Sequence, residues 1–278
     1  MHRPSDLHAL LAEIGAQPKK GMSQNFLIDG NILKKIVAAA DVTAGDHVLE
    51  IGAGPGALTE QLLNAGAYVH AVELDTLFAK ALSRLQTEDQ RLKVYHEDIL
   101  KFDLYNLIEK DRFKVIANLP YKLTTPILAL LLPRHDLISS LTLMVQDEVA
   151  RRLTSKAGSK DYGSSTIFTN FWSDPYYVFR VSPQCFYPKP KVYSALIHLE
   201  LRPPPFSVDS ERFLTMTRKA FQQRRKMLRN ALHELFPETD FDALLKSLNL
   251  NPQARAEELS IENFVALYKA LEKDQNRQ

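Results

Sequence analysis

With 278 residues and an apolar fraction of 45%, the chain is a globular, enzyme-sized protein: one large domain, or a domain with a smaller companion. Lys and Arg number 35 against 33 Asp and Glu, so the formal charge of +2 neither demands nor forbids a nucleic-acid partner; only clustering of the basic residues can speak to that. A single cysteine, Cys185, excludes an internal disulfide, the opening MHRPSDLHALLAEIGAQPKK lacks a signal-peptide apolar core, and the most apolar run, ILALLLP, is too short to span a bilayer. A cytoplasmic protein without membrane association is expected, and a monomer, since no coiled-coil or exposed apolar run asks for a second chain.

The segment QNFLID, residues 24–29, reads from its residues alone as a loop before the helical pattern NILKKIVAAA. From Gly45 to about Ser155, short apolar runs such as DHVLEIG, AYVHAVELD, LKVYHEDIL, FKVIANLP and LTLMVQ alternate with helical patterns such as ALTEQLLNAG and TLFAKALSRLQ. That alternation predicts strands joined by crossover helices, hence an α/β fold with a mostly parallel sheet covered on both faces.

VLEIGAGPGALT sets Gly52, Gly54 and Gly56 between a strand and a helix, where missing side chains let the backbone approach a ligand. The same residues also fit the dinucleotide pattern G-x-G-x-x-[GA], so a nicotinamide dehydrogenase stays open here. Glu73 closes the next strand at the offset of a carboxylate that accepts from both ribose hydroxyls. Asp98, after the third strand, is placed either to accept from an exocyclic adenine amine or simply to cap a helix.

The fourth strand runs into VIANLPY. Pro120 fixes its own φ and holds Leu119 extended, Asn118 adds an amide oxygen, and Tyr121 adds a flat ring. NLPY therefore offers two acceptors beside a stacking platform, although a strand-ending turn has the same composition. An adenine N6 amine is a weak nucleophile because its lone pair is delocalised into the ring. Held by the Asn118 side-chain oxygen and the Leu119 carbonyl, that nitrogen is drawn toward pyramidal geometry and in-line attack on a sulfonium methyl. Such chemistry needs no metal and no strong base, and the eight histidines are assigned to surface or packing roles.

YYVFRVSP and VYSALIHLEL are two further strand candidates at one sheet edge, separated by the proline-punctuated QCFYPKPK. LRPPPFSVDS is a stiff connector, and everything after it reads as helix, which predicts domains at 1–205 and 206–278. One helix is expected from Glu211 to Leu235, with Phe213, Met216, Ala220, Met227, Ala231 and Leu235 on one face and Arg218, Arg225, Lys226 and Arg229 opposite. That basic stripe is consistent with phosphate contacts, or with an ordinary solvated face. Arg224 falls oddly near the apolar side.

Taken together, QNFLID, LEIGAGPGALT, NLPY, MVQDEVARRL, DYGSST, VSPQCFYPKPKVYSA and FQQRRKMLRNAL resemble the ribosomal RNA adenine N6,N6-dimethyltransferases, specifically the small-subunit (16S) rRNA enzymes, over nearly the whole chain. The resemblance implies a Rossmann-like methyltransferase domain with a seven-stranded sheet and a small all-helical C-terminal domain. It implies S-adenosylmethionine lined by Asn25, Leu27, Gly52, Glu73, Asp98 and Asn118, with Tyr121 and Phe186 holding the target adenine and Lys189 and Lys191 near the phosphate path. It further implies dimethylation of two adjacent adenosines in a hairpin near the 3′ end of small-subunit rRNA, within an assembling ribosomal particle. One departure stands out: the glycine that the family usually carries directly before QNF is Ser23 here. Two alternatives remain, the large-subunit rRNA dimethylase of the antibiotic-resistance type and a non-catalytic assembly or transcription factor on the same fold.

Overall fold

The chain sorts into two units, one of residues 1–150 with 174–203 and one of 151–173 with 204–278. The computed structural model describes residues 4–18, 24–86, 88–107, 112–223 and 226–275. Ser23, Arg224 and Arg225, on which expectations above rest, lie outside these.

Among the described residues of the first unit nine strands form: β1 (Phe26–Leu27), β2 (His47–Ile51), β3 (Tyr68–Val72), β4 (Leu92–Tyr95), β5 (Phe113–Asn118), β6 (Ile138–Gln146), β7 (Ser173–Val181), β8 (Phe186–Tyr187) and β9 (Ser194–Leu201). Seven of them make one sheet in the order β4-β3-β2-β5-β6-β9-β7. β2 through β6 run parallel and β9 returns antiparallel to β6. This is the mostly parallel sheet that the alternating pattern predicts, with the seven strands of the Rossmann-like domain that the resemblance implies. Val48, Leu49, Val115, Ile116, Leu141 and Leu143 are fully buried, as expected for strands covered on both faces. β7 carries Pro175 and lies at the edge, the one place where a strand tolerates a missing N–H.

Among the described residues of this unit α-helices start at six places: α1 (Pro4–Glu13), α2 (Gly30–Ala39), α3 (Ala57–Asn64), α4 (Thr76–Ala81), α5 (Thr124–Leu131) and α6 (Asp147–Leu153). Asp29 caps α2 by accepting from the Asn31 and Ile32 amides, which fixes where the segment after QNFL turns helical. Leu33, Ile36, Leu58 and Leu62 of α2 and α3 pack into the core formed with Val48, Val69 and Ile116.

The second unit holds α7 (Ser164–Trp172), α8 (Ser210–Phe221), α9 (Leu228–Leu232), α10 (Phe241–Ser247) and α11 (Ile261–Gln275). Two expectations need correction here. Residues 151–173, expected in the first domain, belong to this unit: Phe171 stacks on Phe213 at 5.2 Å, and the Tyr162 hydroxyl donates to the Leu259 carbonyl at 3.0 Å. The helix expected over Glu211–Leu235 is two helices, because Met227 is extended (φ −61°, ψ 148°) and the Leu228 amide leaves helical register to donate to the Ala254 carbonyl. Phe213, Met216, Ala220 and Ala231 are buried as the period requires, whereas Leu235, beyond the break, is exposed. Among the described residues no helix is long and apolar enough to cross a membrane.

Candidate functional site

The register of the central strands brings the two motifs together. Ile51 on β2 lies opposite Ala117 on β5 and Val72 on β3, so Gly52, Asn118 and Glu73 leave their strands side by side. This is the crevice beyond the carboxyl ends of the strands, where the strand order turns. Gly52 has φ +69° and its amide donates to the Val72 carbonyl at 2.8 Å, a left-handed turn that a side chain would strain. Gly56 has φ +85°, and a Cβ there would meet Leu85 at 2.7 Å and Leu82 at 2.9 Å, so the loop presses against the 82–85 turn.

A cavity of about 300 Å³ opens at this rim, the size of a small-molecule site, and Asn25, Gly52, Glu73, Asp98, Asn118 and Tyr121 all line it. Leu119 lines it as well, between Asn118 and Pro120. Phe26, Ile99 and Ile127 supply apolar wall. Glu73 is buried, with Oε2 accepting from the Gly54 amide at 2.7 Å and Oε1 from the Asp75 amide at 2.8 Å. Burial raises its pKa above the usual carboxylate value, against the lowering effect of those amides. Each oxygen keeps a further lone pair for a ligand hydroxyl. Asp98 accepts from the Leu100 amide at 3.0 Å and stays half-buried in the cavity lining.

Asn118 is oriented. Its Nδ2 donates to the Asn25 carbonyl at 2.9 Å, and since a carbonyl can only accept, the nitrogen must face Asn25 and the oxygen must point the other way. Tyr121 is pinned by its hydroxyl, 2.8 Å from the Ser194 Oγ, and burial raises its pKa. Its ring is thus held at one angle beside the amide.

Two expected residues take other places. Leu27 is buried on β1 and lines a smaller neighbouring cleft with Glu50, Gly52 and Asn118. Phe186, expected to hold the adenine, does not line the larger cavity: β8 pairs with β1, Leu27 opposite Phe186, and only 1% of the residue is exposed. It packs in the core cluster with Leu33, Ala53 and Leu196 instead.

Glu50 went unread in the sequence although its signal was there, a carboxylate inside the apolar strand VLEI. It is 2% exposed, its Oε2 has no hydrogen-bond partner among the described residues, and burial pushes its pKa up to about 8. Glu50 lines the smaller cleft together with Gly52 and Asn118.

The family model for "Ribosomal RNA adenine dimethylase" matches residues 15–273. The chain belongs to that family. The "Ribosomal RNA small subunit methyltransferase A" of Protochlamydia amoebophila is 52% identical over 276 residues, covering 98% of this chain and 97% of the relative. Its namesake in Chlamydia caviae is 46% identical, covering 96% and 97%. Among solved structures, a dimethyladenosine transferase from Plasmodium falciparum superposes with a TM-score of 0.76 at 25% identity, covering 88% of this chain and 96% of that one. The 23S rRNA methyltransferase ErmE gives 0.70 at 26% identity, covering 89% and 100%.

Membership in the dimethylase family decides between the cofactors the glycine loop left open: it is S-adenosylmethionine, and the nicotinamide alternative is set aside. The dimethylase cavity fits that ligand, with carboxylates for its hydroxyls and amines and apolar walls for its ring. Of the residues expected on the RNA path, Lys189, Lys191, Arg218 and Lys226 are exposed. Arg229 is not a free cation: it is ion-paired to Asp242 at 2.6 Å.

Proposed function

We propose that this dimethylase converts two adjacent adenosines, in a hairpin near the 3′ end of small-subunit rRNA, to their N6,N6-dimethyl forms during assembly of the ribosomal particle. The reading is carried by the oriented Asn118 amide. With Nδ2 committed to Asn25, the Oδ1 is presented as an acceptor, and the Leu119 carbonyl is the second. Among the described residues no donor bonds either oxygen, so both are available to the two hydrogens of an exocyclic amine. Tyr121, clamped to Ser194, gives the base a face to stack on.

S-adenosylmethionine supplies an electrophilic methyl on sulfur. Glu73 would hold its ribose hydroxyls, Asp98 its adenine amine, and Asn25 and the turn at Gly52 its amino-acid end. Asn118 and Leu119 fix the target nitrogen so that its lone pair, not an N–H, faces the methyl. No base is asked to remove a proton beforehand. Phe186 buttresses β1 from behind rather than touching the base, and Leu27 acts through the same β1–β8 ladder.

The small-subunit assignment is favoured over the large-subunit alternative by 52% identity to a small-subunit methyltransferase against 26% to ErmE. A monomer working in the cytoplasm fits this reading. Incubating the protein with labelled S-adenosylmethionine and unmodified small-subunit particles, then analysing nucleosides, tests it directly. Dimethyladenosine at two adjacent positions is expected; label in large-subunit RNA alone, or in none, overturns it.

A further inference from the structure

Beyond the pocket itself, the same rim carries a flat, exposed pair of side chains with no part in holding cofactor or amine. On the edge strand β7 the alternation exposes Tyr176, Val178 and Arg180. The Arg180 guanidinium lies over the ring of Tyr193, 3.7 Å from its centroid. Both remain open to solvent, the Arg180 side chain 51% and Tyr193 44% exposed.

Asp147 makes the pair rigid. Its Oδ2 lies 3.3 Å from Arg180 Nε, its Oδ1 accepts from the Tyr177 hydroxyl at 2.6 Å, and its amide donates to the Tyr193 carbonyl at 3.0 Å. Asp147 follows directly on β6, the strand beside the one that ends in Asn118. Ser194, the residue after Tyr193, is the one that clamps Tyr121. One peptide unit therefore joins the exposed stack to the ring beside the amine pocket. Exposed Lys189 and Lys191 sit in the loop that leads into it.

We propose that Arg180 and Tyr193 form a shelf that stacks the nucleobase next to the target adenosine, while Lys189 and Lys191 meet the flanking phosphates. The proposal rests on the dimethylase reading above. An adenine delivered into the pocket has left its own stack, and its neighbour loses a partner face; a guanidinium–phenol stack offers a planar replacement that accepts any base. Because Asp147 neutralises Arg180, the shelf contributes surface for stacking rather than free charge, and the phosphate attraction falls to the two lysines. Tyr176, Val178 and Val192 are exposed too, but the Arg180 guanidinium covers one face of the Tyr193 ring and Lys189 and Lys191 stand exposed in the adjoining loop, a mixture of ring and cation that favours nucleic acid over an apolar protein partner.

The test uses the full chain, labelled S-adenosylmethionine and an RNA hairpin carrying 2-aminopurine beside the target adenosine. For Tyr193→Ala the KM for RNA should rise roughly 5- to 150-fold while kcat stays within about twofold, the loss expected for one stacked base. Cofactor affinity by calorimetry should be unchanged, the 2-aminopurine quenching seen with the native protein should weaken, and Tyr193→Phe should restore both KM and quenching. Lys189→Ala with Lys191→Ala should instead flatten the salt dependence of binding, which Tyr193→Ala should leave alone. If Tyr193→Ala melts early, Arg180→Gln serves as the second variant, with the same KM and quenching expected. Native KM and native quenching in a folded variant overturn the shelf alone. A native protein that methylates no RNA overturns the dimethylase reading and the shelf with it.

Discussion

The side-chain amide of Asn118 is held by the backbone carbonyl of Asn25, 93 positions earlier in the chain, at 2.9 Å. A loop that the sequence offers only as a run before a helix thus sets the direction of the acceptor in NLPY. Asn118→Ala removes that acceptor while leaving the strand it ends intact. Methyl transfer should fall by roughly 10²- to 10³-fold, the effect of deleting one positioned polar group at a reacting centre. RNA binding, measured by filter retention, should stay near native; equal loss of both would assign Asn118 to the fold.

Glu73 holds the loop and is positioned to hold the ligand. Glu73→Ala leaves the Gly54 and Asp75 amides without their acceptor as well as removing the proposed ribose contact. Affinity for S-adenosylmethionine should drop roughly 10- to 100-fold by calorimetry, and Glu73→Gln, which keeps one accepting oxygen, should lie between. An unchanged affinity in the alanine variant would remove Glu73 from the ribose site.

Glu50 makes stability depend on pH in a definite direction. Its carboxyl titrates near 4.5 in an open chain and at about 8 in the fold, with burial the main cause and the nearby Glu73 carboxylate adding to it. Between those values the folded protein holds a proton that the unfolded chain has released. The contribution is full below pH 4.5 and is lost as pH rises through 8. Glu50→Gln, always neutral, should therefore raise the melting temperature of the ligand-free protein increasingly from pH 4.5 to 8 and leave it almost unchanged only below pH 4.5. Thermal melts of both proteins across that range check the sign.

The basic residues of the second unit divide by their partners. Arg218 and Lys226 are exposed, whereas Arg229 is committed to Asp242 and half-buried. Changing Arg218 and Lys226 together to Ala should lower the slope of log affinity against log salt by about 1 to 2. Arg229→Ala should leave that slope alone and act on thermal stability instead, by up to about 1 kcal/mol for a partly exposed pair.

What could be read in the chain follows the range of the interactions. The glycine loop, Glu73 and NLPY each announce themselves within a few residues, because strand endings, φ requirements and proline are local. A mostly parallel sheet then follows from strands that alternate with crossover helices, whereas the pairing of β2 with β5 appears only in the structure. The break between α8 and α9 left no mark, since QQRRKM contains neither glycine nor proline and the helical period runs on through it. The return of 151–173 to the second unit was equally silent: Phe171 meets Phe213 only in three dimensions. Phe186 was expected beside the target base only through the family resemblance; its backbone completes a two-residue ladder with Leu27, and its ring is buried.

The pair of acceptors at Asn118 and Leu119 carries a kinetic signature. In the proposed binding mode an unmodified amine fills both oxygens, but the singly methylated product has one N–H left and must turn a methyl toward whichever oxygen it vacates. The two rounds at a given adenosine are then chemically unequal, the later one losing a hydrogen bond and gaining bulk in the same corner. Single-turnover traces should resolve into a fast and a slow phase, with monomethyladenosine accumulating in between.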